Sequence, residues 1–583
     1  KGIEASGITG EERGDKSMKF KLSGGNRNAS CTLSEKWEGE ILYAALHVVL
    51  AEEAVPEKIR VDFMVQGCGC YSVFSPSVRD FRGPGVNWRR QETHSRLAEW
   101  MPLHCLLSRD GRNRLNVTLS EVRLPVGIYT GIREETGELE CTVEFFTQPT
   151  TPITEYQTII RLDFRQLPYD QSVADSVRWW ETACGYTPAL SPERARMPMD
   201  SLWYSFHQEL SAEEILEECV LSRAMGMRTV IIDDGWQTAD NSRGYDYCGD
   251  WQLCRAKIPD MQALVHRLHE MDMAVMLWYS VPFMGKRSQN YHKFRDKMLH
   301  EGVLDPRYKE VREFLTDTYK RAVADWDLDG LKLDFIDAFT LGEGALKPDA
   351  RRDYLSLEEA VDTLMQEVKR ELTAIRPDIL IEFRQAYVGP AIRQYGNMLR
   401  VSDCPADALR NRQDILNLRL TSGRTAVHSD MLMWSPEESP EAAALQFASV
   451  LYGVPQISVR IKTLPPAHKQ MLQFYMNFWM RYRETLLDGA ISADSPEGYY
   501  SQARARLGRR EVVSVYTDPV VACTAAETVA VNVSPKKALY VKGAAGRRYR
   551  VVNCLGEEIE NGIISAPLQE IVVPMSGILF TEE

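Results

Sequence analysis

A central (β/α)8 barrel flanked by an N-terminal β-sandwich and a C-terminal β-domain is the architecture predicted by this 583-residue sequence. From about residue 199 the chain alternates apolar, strand-like runs with amphipathic helical stretches. Eight such units fit into about 280 residues, the count and length of a barrel. Before residue 195 and after about residue 490 the pattern is instead one of short alternating runs punctuated by Gly, Pro, Asn and Asp, as in β-domains. No Gly-rich phosphate turn follows any of the central runs, which disfavours an open doubly wound sheet. The expected domains are 1–195, 196–488 and 489–583.

In the first domain the alternating runs are 41–50, 58–64, 115–122, 139–146 and 158–164, and the first helical periodicity comes at 169–181. In the second, strands are expected at 201–207, 229–234, 274–280, 331–337, 379–385, 398–403, 426–434 and 456–460. Helices are expected at 211–225, 261–271, 308–326 and 357–376, the first opened by Ser211 and Glu214 at capping-box spacing. In the third, runs at 511–516, 528–532, 538–542, 549–552, 570–573 and 578–581 are separated by small-residue turns such as 543–546.

The composition, 44% hydrophobic and 26% charged, is that of a water-soluble globular protein, and no apolar run is long enough to span a bilayer. A net charge of -13 argues against nucleic acid or an anionic membrane as partner, since both demand clustered Lys and Arg. The twelve cysteines are scattered; Cys68 and Cys70 have neither the spacing nor the companions of a zinc site, so free thiols in a reducing cytoplasm are expected. The chain opens on Lys1, which keeps a removed leader, and so secretion, as an open alternative.

Barrels of this kind keep their chemistry at the C-terminal ends of the strands. The residues closing the runs are acidic: Asp233 and Asp234 after the second, Asp334 and Asp337 on the fourth, Glu382 with Arg384 on the fifth, and Asp403 after the sixth. Trp236, Trp251, Trp278 and Tyr279 accompany them. Lys332 and Asp334 leave the same face of one strand, and the lysine is expected to face the acid and keep it ionised, as a carboxylate nucleophile requires. Taken singly, each residue has a structural reading: Asp233 or Asp403 as a helix cap, Trp278 as core, Lys332 and Asp334 as an ion pair in a strand end. Taken as one rim, carboxylates that bond hydroxyls beside aromatic faces that stack on C–H surfaces describe a sugar pocket.

The order Asp233-Asp234-Gly235-Trp236, Gly249-Asp250-Trp251 with Lys257-Ile258-Pro259, Lys332-Leu333-Asp334, and Ser402-Asp403 with Asp407-Ala408 resembles glycoside hydrolase family 36, the retaining α-galactosidases and their relatives. The resemblance runs through residues 200–480 and includes Gly302-Val303-Leu304-Asp305-Pro306 and Tyr452-Gly453-Val454-Pro455-Gln456. It implies Asp334 as nucleophile, Asp403 as general acid/base, Asp233 and Asp234 on the sugar's 4- and 6-hydroxyls, Lys332 beside the nucleophile, and Trp236 and Trp251 as pocket walls. It also implies a homo-oligomer acting on the non-reducing end of small α-glycosides, without metal or organic cofactor. The family's Cys-Ser and glycine run before the acid/base is replaced here by Ile381-Glu382-Phe383-Arg384-Gln385-Ala386-Tyr387, and its Trp-Phe-Glu-Pro-Glu by Trp278-Tyr279-Ser280-Val281-Pro282. The part that reads the sugar 2-position is therefore rebuilt. Glu382 and Arg384 are expected to face the barrel mouth together, Arg384 near Asp403, where its fork of donors suits a 2-hydroxyl, a 2-acetamido oxygen or a charged substituent.

Three other readings stay open at this stage. Asp334, Glu382 and Asp403 with Lys332 resemble the ligands and base of a Mg-dependent lyase or isomerase. A barrel that binds carbohydrate without catalysis would keep the aromatic residues, and a transglycosylase would open a glycosyl-enzyme with a sugar hydroxyl instead of water. N-acetylgalactosaminidase and arabinopyranosidase specificities are the alternatives within hydrolysis.

Overall fold

The computed structural model describes residues 18–67, 69–77 and 82–582; Lys1 and Cys68 lie outside them. Two six-stranded antiparallel sheets face each other in the N-terminal domain. One runs, in spatial order, Phe20–Gly24, Ile59–Val65, Leu139–Phe145, Val126–Ile132, Gly85–Val86 and Arg89–Ser95. The other runs Ala29–Glu38, Ile41–Ala54, Ile153–Asp163, Asn113–Leu119, Leu103–Leu107 and Ser72–Phe74. Alternation sends Leu42, Val61, Val117, Ile128, Val143 and Ile160 inward, and they form the shared core. The helix Tyr169–Thr182 closes the end of this domain, with Trp180 buried and its indole N–H donating to the Leu119 carbonyl at 2.7 Å.

Eight parallel strands form the barrel: β1 (Met199–Ser201), β2 (Thr229–Ile232), β3 (Ala274–Ser280), β4 (Gly330–Asp334), β5 (Leu380–Arg384), β6 (Met398–Arg400), β7 (Ala426–His428) and β8 (Gln456–Ile457). They pair in chain order, β8 pairs with β1, and single bridges from His428 to Val454 and from Leu432 to Ile457 draw β7 and β8 together. Their runs are mostly apolar because both faces are covered, as in parallel sheets, with charged residues set in toward the strand ends. The helices start where short polar residues can cap them: Ser211, Asp260, Ser356, Asp407 and Ser439 each accept from an amide three residues on.

The structure ends the expected runs 331–337, 398–403, 426–434 and 456–460 early, at Asp334, Arg400, His428 and Ile457, and corrects the sequence reading further at two places. The run 201–207 is not a strand: β1 ends at Ser201 and the chain turns into a short helix, Trp203–Phe206, which brings Tyr204 and His207 to the barrel mouth. The fifth unit has no full helix, only the single turn Ile392–Gln394 between β5 and β6. Gly389 and Gly396 on either side of it admit close neighbours; a Cβ on Gly389 would lie 2.4 Å from the Trp100 carbonyl oxygen. Residues of the first domain and its linker cover this gap. The Trp100 amide donates to the Ala386 carbonyl at 2.7 Å, and the Ala189 amide to that of Arg393 at 2.8 Å.

After the long helix Pro466–Asp488, the C-terminal domain pairs a seven-stranded sheet with a three-stranded one. Tyr452, in the turn before β8, ties barrel to sheet. Its buried hydroxyl donates toward the carbonyls of Ala503 (2.6 Å) and Val512 (3.2 Å) and accepts from the Ser514 amide (3.0 Å). The eleven described cysteines are free, and no helix among the described residues is long and apolar enough to cross a membrane.

Tyr452→Phe keeps the ring and strands these backbone groups. The expected loss is about 1–3 kcal/mol, the usual cost of unpaired buried groups, visible in calorimetry as a lower thermal midpoint. An unchanged midpoint would mean that the hydroxyl contributes nothing to holding the sheet on the barrel.

Candidate active site

Charged side chains converge where the barrel strands end. Asp233 and Asp234 follow β2, and both are buried. Asp233 accepts from Lys332 Nζ at 2.6 Å on one oxygen and from the Asp234 amide at 2.9 Å on the other. Burial disfavours the Lys332 ammonium, but Asp233 together with Asp334 and Glu382 outweighs that and keeps it protonated well into alkaline pH. Asp234 accepts from the side-chain amides of Gln208 (2.7 Å) and Gln237 (2.6 Å). Burial still pushes its carboxyl up to about 6, with the Asp233 charge adding to the rise. Lys257 fixes this corner by donating to Gln208 O (2.6 Å), Gly235 O (3.1 Å) and Asn241 Oδ1 (2.7 Å).

Asp334 closes β4. Its Oδ1 accepts from Arg384 Nε (2.6 Å), the Phe335 amide (2.8 Å) and the Tyr387 hydroxyl (3.3 Å), whereas its Oδ2 accepts from Trp278 Nε1 (3.1 Å). Burial alone would raise this carboxyl, but the guanidinium of Arg384, then Lys332 and Arg400, hold it well below the usual carboxylate range. Arg384 also donates from both terminal nitrogens to Asp337, at 3.2 and 3.3 Å, and to its neighbour's carbonyl at Gln385, at 2.6 Å. Its plane lies over the rings of Phe335 and Tyr387.

A second cluster stands on β5 to β7. Arg400, buried on β6, donates to Asp403 (2.8 Å) and Asp430 (2.7 Å), and Glu382 lies 3.6 Å from its Nε. The Asp403 side chain is 57% exposed, the most open of the acids on β2, β4 and β6. Burial works to raise its carboxyl, and Arg400 and Lys332 overcome that and lower it. Glu382 lies deep in the barrel, accepting from Gln456 Nε2 at 2.5 Å, and burial raises its carboxyl against the pull of Arg400 and Lys332.

Two long loops frame the opening. Tyr245, from the loop after β2, stacks on Trp278 (centroids 6.1 Å apart, planes at 25°) and meets Phe283 and Phe335 edge-on or tilted. Its loop is bonded to the one after β3, Gly285 N to Cys248 O at 2.8 Å and Arg287 N to Asp246 O at 2.9 Å. Gly285 is required there, because a Cβ would sit 2.2 Å from the Asp246 backbone. Asp250 accepts from the amides of Gln289 and Asn290 and so orders the same loop.

Asp233, Asp234, Trp278, Lys332, Asp334, Arg384 and Asp403 therefore gather at one barrel end, but several pairings differ from those expected. Lys332 bonds Asp233 and acts on Asp334 only through space, since β2, the next strand but one, brings a carboxylate closer to its ammonium than its own strand does. Arg384 faces the mouth, but Glu382 does not accompany it and lies deep in the barrel against Gln456 and Arg400; Arg384 lies on Asp334 rather than near Asp403, and its fork is engaged by carboxylates. Trp236 is fully buried, its indole N–H on the Trp278 carbonyl (2.9 Å) and its ring enclosed by Trp251, Tyr279 and Trp326. It supports Trp251 and Trp278 from beneath and offers no face to a ligand. Asp334, Glu382 and Asp403 are each drawn to a different partner, and no group of three or more His, Cys, Asp or Glu among the described residues is spaced to hold a metal ion. Sequence reasoning missed Gln208, Tyr387, Arg400 and Asp430. Asp430 falls in the middle of the expected run 426–434, and only the early end of β7 at His428 puts it beyond the strand, so the strand-end rule could not find it from sequence.

Residues 199–332 match the Melibiase family model. That stretch holds β1 to β4 and the aspartates and lysine of the first cluster up to Lys332. Across 210 residues the chain is 26% identical to α-galactosidase AgaA of Geobacillus stearothermophilus, an alignment covering 33% of this chain and 27% of that protein. Among solved structures, the α-galactosidase of Lactobacillus brevis superposes with a TM-score of 0.67 at 14% identity, covering 97% of this chain and 84% of that one. The family 36 α-galactosidase AgaA, in complex with raffinose, also superposes at 0.67, with 15% identity over 95% of this chain and 81% of that one. At these identities the superpositions establish a shared fold, and the chain resembles family 36 along nearly its whole length.

Gly285→Ala would force the two loops apart. Limited proteolysis is then expected to cut within 237–248 faster than in the parent, with the barrel fragment left intact; equal cutting rates would show that the loops tolerate the added methyl.

Proposed function

We propose that this protein is a retaining, exo-acting α-glycoside hydrolase of α-galactosidase type. Asp334 is the nucleophile and Asp403 the general acid/base. The observation that carries this reading is the contrast between two carboxylates at one barrel mouth. One is buried and held ionised by an arginine and a lysine; the other is open to solvent on the next strand but one, within the electrostatic reach of the first. A nucleophile must be ionised and fixed, whereas an acid/base must reach a leaving group and then a water.

The bonding of Asp334 adds detail. Oδ1 is occupied by Arg384 and the Phe335 amide, with the Tyr387 hydroxyl shared between it and the Leu333 carbonyl, and Oδ2 by Trp278 alone, so Oδ2 keeps the lone pair able to attack an anomeric carbon. Attack at C1 forms the glycosyl ester while Asp403 gives its proton to the departing oxygen. Asp403 then takes a proton from water, which displaces the sugar with net retention. Asp233 and Asp234 would accept hydroxyls of the sugar, with Trp251 beside its C–H face, while buried Trp278 holds Asp334 through its indole N–H. Raffinose on the related AgaA supports small oligosaccharides as substrates. Arg384 serves the nucleophile, keeping it ionised and still, and any reading of the sugar 2-position falls to its neighbours on the rebuilt β5 segment.

The test is turnover of an aryl α-galactoside and of a disaccharide with a sugar leaving group. Asp334→Asn should be inert on both. Asp403→Asn should lose the disaccharide but still release the aryl group in a burst, because a good leaving group needs no proton. Identical behaviour of the two variants would reverse or remove the roles.

Arg384→Ala removes the strongest influence lowering the Asp334 carboxyl. Its folded pKa then rises, so activity that needs the ionised form is lost at higher pH. The acidic limb of kcat/KM on the aryl substrate is expected to move upward, together with a fall of about 10- to 100-fold near neutrality, the range of a lost charge-assisted bond. An unmoved limb would assign Arg384 to the scaffold.

A further inference from the structure

Arg400 has more acceptors around one nitrogen than that nitrogen has protons. Its Nη1 carries two, yet Asp430 Oδ1 lies at 2.7 Å, Asp403 Oδ1 at 2.8 Å and its neighbour's carbonyl, Val401 O, at 2.9 Å. Its Nε has no hydrogen-bond partner and faces Glu382 at 3.6 Å. Asp430 is fully buried just beyond β7. Its other oxygen accepts from the Cys404 amide (2.6 Å) and the Tyr204 hydroxyl (3.0 Å), and its own amide donates to Asn411 (3.1 Å). Thus the exposed carboxylate and the buried one are joined through a single guanidinium nitrogen.

We propose that Asp430 is a positioning residue that sets the proton occupancy of Asp403 through Arg400, the two carboxylates and the Val401 carbonyl sharing the two N–H bonds of one nitrogen. The inference rests on Asp403 being the acid/base. A general acid must hold its proton when substrate arrives, but Arg400 and Lys332 acting alone would strip it. Asp430, bound to the same nitrogen of Arg400, draws part of that guanidinium away from Asp403. When Asp403 is protonated, Arg400 turns wholly to Asp430; when Asp403 gives up its proton, Arg400 swings back to the new carboxylate. No net charge is left uncompensated in the buried half of the pair.

The groups facing the pair come from every adjoining element: Arg400 on β6, Lys332 and Asp334 on β4, Glu382 on β5, Tyr204 after β1, and Cys404, itself under the influence of Asp407 and Asp414. Arg400 and Lys332 favour ionised carboxylates, Asp334 opposes ionisation of Asp403, and each member of the pair opposes ionisation of the other. In the ligand-free protein burial raises the Asp430 carboxyl, and Arg400 only partly counters it.

The test is the basic limb of kcat/KM on the substrate with a sugar leaving group, where protonated Asp403 is needed. Asp430→Asn keeps the shape and removes the negative charge. Arg400 then acts on Asp403 unopposed, Asp403 loses its proton at lower pH, and the limb should move down by about one pH unit, as expected for removal of one nearby like charge. Tyr204→Phe, at a half-buried position, withdraws a donor that favours ionised Asp430 and should move the limb the same way by less; it decides the matter if Asp430→Asn does not fold. Loss of turnover of that substrate in Asp403→Asn, with downward shifts of the limb in the other two, supports the proposal. The same loss in Asp403→Asn with no shift in the folded Asp430 or Tyr204 variants overturns it and leaves the acid/base reading standing, with Asp430 a stabilising residue only. Turnover in Asp403→Asn that keeps the parent's basic limb overturns both.

Discussion

Charge balance at the C-terminal end of the barrel is the constraint that the rest of the molecule serves. Asp233, Asp234, Asp334, Asp337, Glu382, Asp403 and Asp430 stand within a few side chains of one another, most of them out of solvent, against Lys332, Arg384 and Arg400. An ionised carboxylate buried without a partner costs several kcal/mol even after relaxation. The arrangement persists because each cation is shared: Lys332 bonds Asp233 and acts on Asp334, Arg384 spans Asp334 and Asp337, and Arg400 spans Asp403 and Asp430. The surplus of acids is carried by groups such as Asp234, whose carboxyl is raised to about 6. The site is thus poised between protonation states rather than fixed in one.

That balance depends on strand register. β3, β4 and β5 pair so that Trp278, Lys332 and Glu382 lie level, and Asp334 one step further out meets both Trp278 from one side and Arg384 from the other. A slip of one residue would exchange these charges for Leu331, Leu333 and Phe383. The apolar residues between the charged ones are what hold the register, being packed against the surrounding helices.

The barrel and its flanking β-domains were legible because apolar periodicity reports burial, and burial follows secondary structure. The acids were legible because strand ends are marked in sequence by where apolar runs stop. Partners were not. That Lys332 would choose Asp233 over Asp334 depends on the spacing between β2 and β4 across the mouth, and that Arg384 would take Asp334 depends on side-chain reach across two strands. Trp236 was misplaced for a similar reason: a tryptophan beside two aspartates has the same sequence neighbourhood whether its ring faces the pocket or the helix layer. The run 201–207 misled because Trp203, Tyr204 and Phe206 suit a strand in isolation, and only the early end of β1 shows them as a turn of helix.

The missing helix between β5 and β6 has a consequence for how the molecule could be taken apart. In most barrels of this type the ring of helices is a complete outer wall, so the barrel is a self-sufficient module that can be moved between proteins. Here one stave is supplied from outside, by Trp100 against Gly389 and by the linker at Ala189 against Arg393, while Arg96 of the same domain donates to the carbonyls of Asp337 and Phe339 just past β4. The N-terminal sandwich is therefore part of the barrel wall beside the candidate site. Its inheritance is tied to that of the barrel, and a chimaera that exchanges it must exchange the β5 connection as well.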